Sequence, residues 1–287
     1  MNQKMTVIMA DPAGNRTAFV TDPVPRDRYA EIGNRLLQNA ALRAEQVGFI
    51  LDQPSDADGA MCMSGGEFCG NATRSFGYLT GKQRGLKNGD TVHVRVSGSS
   101  DILAVTLEEG GARVRMPCPG DVMNGMFHIP VRDGKKAEGR RLPYVEMEGI
   151  THILIENSGV VKDAASAVTE QMRLHSGADA AGVMFLHAVH DVPVPDNSGL
   201  TACKEIEMTP FVWVRETDSH VWESSCGSGS LSAAVFAFRD ITAGRVRATV
   251  RQPGGVLTVL LEKKNGHVSS AYLGGPIKLE EAVTVGV

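Results

Sequence analysis

Hydrophobic and polar residues alternate in short runs along much of the chain, and this two-residue period predicts a strand-rich protein. The clearest runs are Thr91–Ser97 and Ile102–Met116, the second of which is broken into a hairpin by the pair Gly110-Gly111. Near the C-terminus, the runs RVRATVRQ, VLTVLLEKK and VSSAYLGG predict a meander. Short strands that follow one another through turns favour mostly antiparallel sheets.

Longer segments without this alternation predict helices over Asp27–Ala44 and over Ala164–His175, the second capped by Asp163. Shorter apolar runs predict further strands: MTVIMA near Met5, TAFV near Thr17, Val47–Leu51, Val183–Val189 and Phe211–Arg215. No G-x-G-x-x-G motif opens a βαβ unit, and no P-loop is present. The expected class is therefore α+β with mostly antiparallel sheets, not a doubly wound parallel fold.

The sequence divides into two halves built on the same plan. Its 287 residues exceed one typical domain. The stretch Pro117–Gly125 has the chemistry of a linker, with two prolines, two glycines and no periodicity. We expect an N-terminal domain of residues 1–120 plus 275–287, to which the last segment returns, and a C-terminal domain of residues 121–274.

Charge and hydropathy limit the partners of the chain. The formal net charge is −4 and no basic block occurs, so a nucleic-acid partner is not expected. No apolar run reaches the roughly 18 residues that cross a bilayer, and the N-terminal segment does not resemble a signal peptide. We expect a cytoplasmic protein that binds a small molecule and not a membrane; a homodimer is left open.

The five cysteines are odd in number and include no C-x-x-C pair. No histidine stands at zinc-ligand spacing from a cysteine pair, so neither a disulfide framework nor a metal site is expected. Three cysteines are interpreted as ordinary small hydrophobic residues. Cys69 and Cys226 differ, because each is followed by glycine and opens a segment predicted to be helical, Thr73–Thr80 or Ser230–Phe238.

A cysteine at the start of a helix lies in a distinctive electrostatic setting. The first turn leaves N–H groups unpaired and carries partial positive charge, which stabilises a thiolate. The same N–H groups can bind a carboxylate, here at Gly70 and Asn71 after the first cysteine and at Gly227 and Ser228 after the second. Two such thiols on opposite sides of one α-carbon could remove a proton from one face and return a proton to the other. That pattern indicates racemisation of an amino acid without a cofactor.

At these residues the chain resembles the diaminopimelate epimerase superfamily. GGEFCGNATRSF is similar to its first cysteine motif, and WESSCGSGSLSAA is similar to its second. Further similar segments place Asn15 and Gln46 in the substrate pocket and His152 beside the first cysteine, where it would tune Cys69. The resemblance spans nearly the whole chain. It implies two pseudo-symmetric domains, each a central helix wrapped by mostly antiparallel sheet, with the site in the cleft between them.

The segment before the second cysteine, VRETDSHVWESS, is altered relative to the family pattern. Arg215 and Glu216 are therefore approximate matches. Arg215 could contact a carboxylate or pair with Glu216 at the surface. Either Glu216 or Glu223 could hydrogen-bond the Cys226 thiol, and we favour Glu216.

Other departures concern the substrate. The asparagines with which the family binds the far end of a long substrate are replaced at Ile150 and within Ala178–Phe185. The cysteine motifs are most similar to those of the histidine racemase subgroup. The leading hypothesis is therefore a histidine racemase. The alternatives are a diaminopimelate epimerase and, in another class, a non-catalytic amino-acid-binding or thiol-redox protein.

Overall fold

The computed structural model describes residues 3–52, 54–129, 138–156, 164–176, 180–214 and 219–287. The chain forms two compact units, Met1–Met116 with Leu273–Val287, and Pro117–Tyr272. Among the described residues, no helix is both long enough and apolar enough to cross a bilayer.

Up to Met116, the first unit is built from seven consecutive strands and two α-helices. They are β1 (Lys4–Asp11), β2 (Thr17–Val20), α1 (Tyr29–Gln38), β3 (Gln46–Leu51), β4 (Gly59–Met63), α2 (Gly70–Gln83), β5 (Thr91–Val96), β6 (Leu103–Glu108) and β7 (Gly111–Met116). The pairs β2–β3 and β4–β5 are parallel, and the pairs β1–β2, β3–β4, β5–β6 and β6–β7 are antiparallel. Each parallel pair is thus bridged by a helix, as a parallel connection requires.

The second unit repeats this order with two added strands. Its elements are β8 (Val122–Ile129), β9 (Glu138–Met147), β10 (Ile150–Glu156), α3 (Ala165–Ser176), β11 (Ala180–Val192), β12 (Ala202–Val214), β13 (Ser219–Trp222), α4 (Gly227–Ala237), β14 (Gly244–Gln252), β15 (Gly255–Lys264) and β16 (His267–Gly274). Again the helices bridge parallel pairs, β10–β11 and β12–β14. Two short strands close the chain, β17 (Lys278–Leu279) and β18 (Val283–Gly286), and both pair antiparallel with β1.

The second helix of each unit is its central element. Every residue of α2 from Gly70 to Gly81 is buried, and α4 is buried from Gly229 to Phe236. Close packing of α2 against β6 depends on Gly77, where a Cβ atom would lie 2.5 Å from Cβ of Val105. The α+β class with mostly antiparallel sheets is confirmed.

Two predicted segments were wrong in extent. The first helix covers Tyr29–Gln38 rather than Asp27–Ala44. Asn39 ends it in extended conformation and accepts the N–H of Ala41 through its side chain, while Arg43 adopts a left-handed φ of 48°. The expected linker at Pro117–Gly125 becomes strand from Val122 onward, because these residues pair with β9.

The bounds of the other helices differ from prediction by a few residues at each end. The two helical segments after the cysteines begin at Gly70 and Gly227, so each cysteine directly precedes its helix. Ala165–Ser176 is helical as expected, but its proposed cap Asp163 lies outside the described residues.

Candidate active site

Cys69 is the N-cap residue of α2. Its backbone is extended, with φ −134° and ψ 114°, and its Sγ accepts the N–H of Ala72 at 3.4 Å. The carbonyl of Cys69 accepts two bonds from Thr73, one from the backbone N–H at 2.8 Å and one from the hydroxyl at 2.7 Å. These contacts fix the sulfur over the first turn of the helix, where the partial positive charge of the helix favours a thiolate.

Two side chains predicted to bind substrate lie next to this turn. Sγ of Cys69 lies 3.1 Å from Oε1 of Gln46, to which it donates when it is protonated. Asn71 donates its Nδ2 to Oδ1 of Asn15 at 3.4 Å, and Asn15 in turn donates to Glu45 at 3.3 Å. The structure therefore brings Asn15, Gln46 and Asn71 together around Cys69.

Gly70 is required by the packing beneath the cysteine. A Cβ atom at this position would lie 2.6 Å from Cε of Met116 and 3.2 Å from Cδ2 of Leu273. A side chain larger than hydrogen would therefore push α2 away from these residues and displace Cys69.

Cys226 holds the same position in the second unit, as the N-cap residue of α4. Its φ and ψ are −116° and 115°, and its Sγ accepts the N–H of Gly229 at 3.3 Å. Its carbonyl accepts the N–H of Ser230 at 3.0 Å and the Ser230 hydroxyl at 2.6 Å. Both units thus build one local structure, in which a hydroxyl residue four positions after the cysteine binds the cysteine carbonyl.

Gln252, at the end of β14, holds the backbone of the second cysteine. Its Oε1 accepts the N–H of Cys226 at 2.8 Å, and its Nε2 donates to the Ser230 hydroxyl at 3.0 Å. Gly229 brings the chain close to β11, since a Cβ atom there would lie 2.3 Å from Sδ of Met184 and 3.1 Å from the sulfur of Cys226.

The surroundings of Cys226 favour its protonated form. The residue is only 6% exposed, and this burial is the largest cause that raises the pKa of its thiol well above 9.0. The charge of Glu223, which also hydrogen-bonds the thiol, raises the pKa further. Bonds from Ser228 and from the Gly229 N–H act in the opposite direction but are weaker. At neutral pH Cys226 is therefore a thiol.

His152 lies on β10 beside α4. Its Nδ1 is 3.0 Å from Oγ of Ser232 and its Nε2 is 3.4 Å from Oγ of Ser228, whose hydroxyl lies 3.5 Å from the sulfur of Cys226. Burial lowers the pKa of His152 to about 3, so the imidazole is neutral. Each ring nitrogen of His152 lies within hydrogen-bond distance of a serine hydroxyl of α4.

The hydrogen bonds of His152 lead through Ser228 to Cys226. The role that the family resemblance gives His152 in tuning Cys69 stays a prediction. A neutral imidazole cannot stabilise a thiolate by charge, so His152 acts on its neighbours through hydrogen bonds.

The remaining predicted residues fall into two groups. Gly227 and Ser228 lie in the first turn of α4, directly after Cys226, and their contact with substrate stays a prediction. Arg215 and Glu216 lie outside the described residues. The carboxylate that contacts Cys226 among the described residues is Glu223.

Some residues of the site were missed from the sequence. Gln252 is on a strand 26 positions away from Cys226 and stands in no motif that marks it. Arg74 was within the quoted motif GGEFCGNATRSF but was given no role, although its burial among small residues of α2 makes it unusual.

Within the described ranges, no three His, Cys, Asp or Glu side chains lie close enough together to hold a metal ion. The groups gathered at each cysteine are instead thiol, amide, hydroxyl and carboxylate, which can move or position protons.

The fold is shared with solved structures that include an epimerase, a probable proline racemase and a phenazine biosynthesis protein. A hydroxyproline epimerase from Agrobacterium vitis superposes with a TM-score of 0.56 at 13% identity, covering 100% of this chain and 94% of that one. The family described as "Histidine racemase CntK N-terminal domain" matches residues 4–284. The chain belongs to this family.

Relatives of known activity are similar over most of their length. A histidine racemase of Fusobacterium nucleatum is 26% identical, over 96% of this chain and 95% of the relative. A histidine racemase of Staphylococcus aureus is 28% identical over 90% of this chain and 88% of the relative. A diaminopimelate epimerase of Acetivibrio thermocellus is 26% identical over 80% of each chain. The resemblance to the diaminopimelate epimerase superfamily is confirmed.

Proposed function

We propose that this chain interconverts L- and D-histidine without a cofactor, using Cys69 and Cys226 as a paired base and acid. The observation that carries the proposal is the repeated cysteine N-cap, one on the central buried helix of each unit. Inversion at a carbon needs a proton acceptor on one face and a donor on the other, and a duplicated unit supplies two equivalent groups. The family and its relatives named as histidine racemases support histidine as substrate.

The protonation states support an order of events. Cys226 is a thiol at neutral pH, because burial and Glu223 disfavour its thiolate. For one enantiomer, the Cys69 thiolate takes the α-proton, so that an S–H bond forms as the Cα–H bond breaks. The electron pair left on Cα delocalises into the carboxylate, and Cys226 then gives its proton to the opposite face. The enzyme is left as Cys69 thiol and Cys226 thiolate, the form that processes the other enantiomer.

The helix N-termini would stabilise the charge that develops on the substrate carboxylate. Gly70 and Asn71 lie in the first turn of α2, and Gly227 and Ser228 lie in the first turn of α4, where the N–H groups carry the partial positive charge of a helix end. Donors fixed in advance near developing negative charge lower the barrier because they need no reorganisation during reaction.

The side-chain end of the substrate is less constrained by polar groups than in the family pattern. By strand alternation Ile150 lies on the same face of β10 as His152, whereas Ala181 belongs to the core cluster of α3 on the opposite face. Gly182, within the second altered segment, faces His152, since a Cβ atom there would lie 2.8 Å from Cδ2 of that imidazole. The replacements at Ile150 and on this side of Ala178–Phe185 therefore bear on the substrate. A second amino-acid head group buried there without a partner would cost about 1–3 kcal/mol. We propose that the substrate is a free amino acid in the cytoplasm. Light scattering of the purified enzyme would show whether it forms a homodimer.

The proposal is tested with purified enzyme, no added cofactor, and chiral chromatography of L- and D-histidine and of LL- and meso-diaminopimelate. Cys69→Ala and Cys226→Ala should each reduce histidine racemisation by at least about 100-fold, because each removes a proton-transfer group. Cys118→Ser, which alters an exposed cysteine, should leave the rate unchanged. Full activity in either alanine variant would refute the paired mechanism, and turnover of diaminopimelate with none of histidine would refute the substrate.

A further inference from the structure

Arg74, in the second turn of α2, is a fully buried cation. Its guanidinium is 0% exposed and donates to four oxygens: Oδ1 of Asn71 and the carbonyls of Pro12, Gly275 and Pro276, at 2.8 to 3.3 Å. All four oxygens are neutral. They satisfy the N–H donors of the guanidinium, but they do not balance its charge.

A buried charge is costly unless an opposite charge lies nearby. Burial lowers the pKa of Arg74 to about 10, so the group stays charged at neutral pH. The two groups whose negative charge acts on it are Cys69 and Glu108. Glu108 is half exposed and already lies 3.5 Å from Arg113, so water and a second cation weaken its effect. Cys69, five residues before Arg74 and at the start of the same helix, is the other group whose ionised form would offset this charge.

We propose that Arg74 is a positioning residue whose buried charge holds Cys69 as the thiolate, the form that the proposed racemase needs for its first proton transfer. The proposal rests on the proposed function only in the role given to that thiolate. The same guanidinium fixes the amide of Asn71, since Nε donates to Oδ1 and turns Nδ2 toward Asn15. Charge and amide orientation thus come from one side chain.

The test measures alkylation of Cys69 by iodoacetamide from pH 5 to 10, followed on the Cys69 peptide by mass spectrometry in the folded, full-length enzyme. Arg74→Met removes the charge and keeps an apolar side chain. Arg74→Lys keeps the charge. Lys263→Met is the matched control, since Lys263 is another buried cation, 5% exposed, which caps the C-terminal end of α4 by donating to the carbonyl of Phe238 at 2.8 Å.

Arg74→Met should slow Cys69 alkylation at pH 7 by about threefold or more and move the midpoint of the profile to higher pH. A tenfold loss of thiolate is offset in part by the greater nucleophilicity of a more basic sulfur. In Arg74→Lys and in Lys263→Met, the alkylation rate of Cys69 should stay within about twofold of that in the parent protein. The first variant retains the charge, and the second alters only stability. An Arg74→Met profile equal to that of the parent protein would overturn the proposal.

If Arg74→Met does not fold, the surface variant Glu108→Gln tests the proposal in its place. Glu108 competes with Cys69 for the positive charge of Arg74. Without this carboxylate, the alkylation rate of Cys69 at pH 7 should rise by about twofold. An unchanged or slower rate would overturn the proposal. Alkylation requires no turnover. A lack of histidine racemisation would therefore refute the proposed function without deciding the role of Arg74.

Discussion

His152 should make the stability of the protein depend on pH in a way that one substitution removes. The imidazole is fully buried and burial lowers its pKa to about 3, against 6.5 in an exposed chain. Below pH 6.5 the unfolded chain binds a proton that the folded protein does not bind. Stability contributed by the neutral histidine is thus complete above pH 6.5 and is lost progressively as the pH falls from 6.5 toward 3.

The size of the effect follows from the pKa difference. Each pH unit within this window changes the free energy of unfolding by about 1.4 kcal/mol per group. Between pH 8 and pH 5, His152 should therefore remove about 2 kcal/mol of stability. His152→Gln cannot take up this proton. The variant loses the same contacts at both pH values, so these lost contacts lower its free energy of unfolding by the same amount at each. Only the pH dependence that His152 contributes to the free energy of unfolding disappears.

Urea unfolding followed by circular dichroism at pH 8 and pH 5 measures the difference. The parent protein should lose about 2 kcal/mol more than His152→Gln over this interval. His128→Gln is the matched control, because His128 is exposed, and it should behave like the parent protein. Equal losses in the parent protein and in His152→Gln would refute the assignment of a buried neutral imidazole.

Further predictions concern packing and ionisation around the two helices. Gly77→Ala should destabilise the protein by about 1–3 kcal/mol in thermal unfolding, because the new Cβ would lie 2.5 Å from Cβ of Val105. Gly139→Ala should have little effect on stability, because the nearest atom to the new Cβ would lie 3.5 Å away. Equal losses of stability in the two variants would contradict the packing argument. Glu223→Gln removes a carboxylate that raises the pKa of Cys226, so Cys226 should alkylate faster at pH 8 than in the parent protein; a slower rate would contradict this role.

The sequence predicted those features that depend on neighbouring residues. Two-residue alternation located the strands Thr91–Val96 and Gly244–Gln252, and the Cys-Gly pairs marked the starts of both central helices. The first helix was predicted too long because a polar segment does not show where its pattern stops, and the turn at Asn39 ends it.

Features that depend on distant residues could not be predicted. Gln252 binds the backbone of Cys226 only because β14 runs beside the start of α4. The link of His152 to Ser228 requires that β10 and α4 pack together, and a motif comparison does not establish this contact. The charge environment of each thiol likewise depends on burial, which for Cys226 outweighs the effect of the helix N-terminus.

Isotope exchange during the first turnovers tests the paired mechanism most directly. L-Histidine is incubated with the enzyme in deuterated water, and both enantiomers are separated and analysed by mass spectrometry at low conversion. With one thiol on each face, the D-histidine formed should carry deuterium at Cα while the remaining L-histidine keeps its original proton, and the reverse should hold from D-histidine. Deuterium entering the remaining substrate as fast as the product would show that one base serves both faces, and would contradict the account.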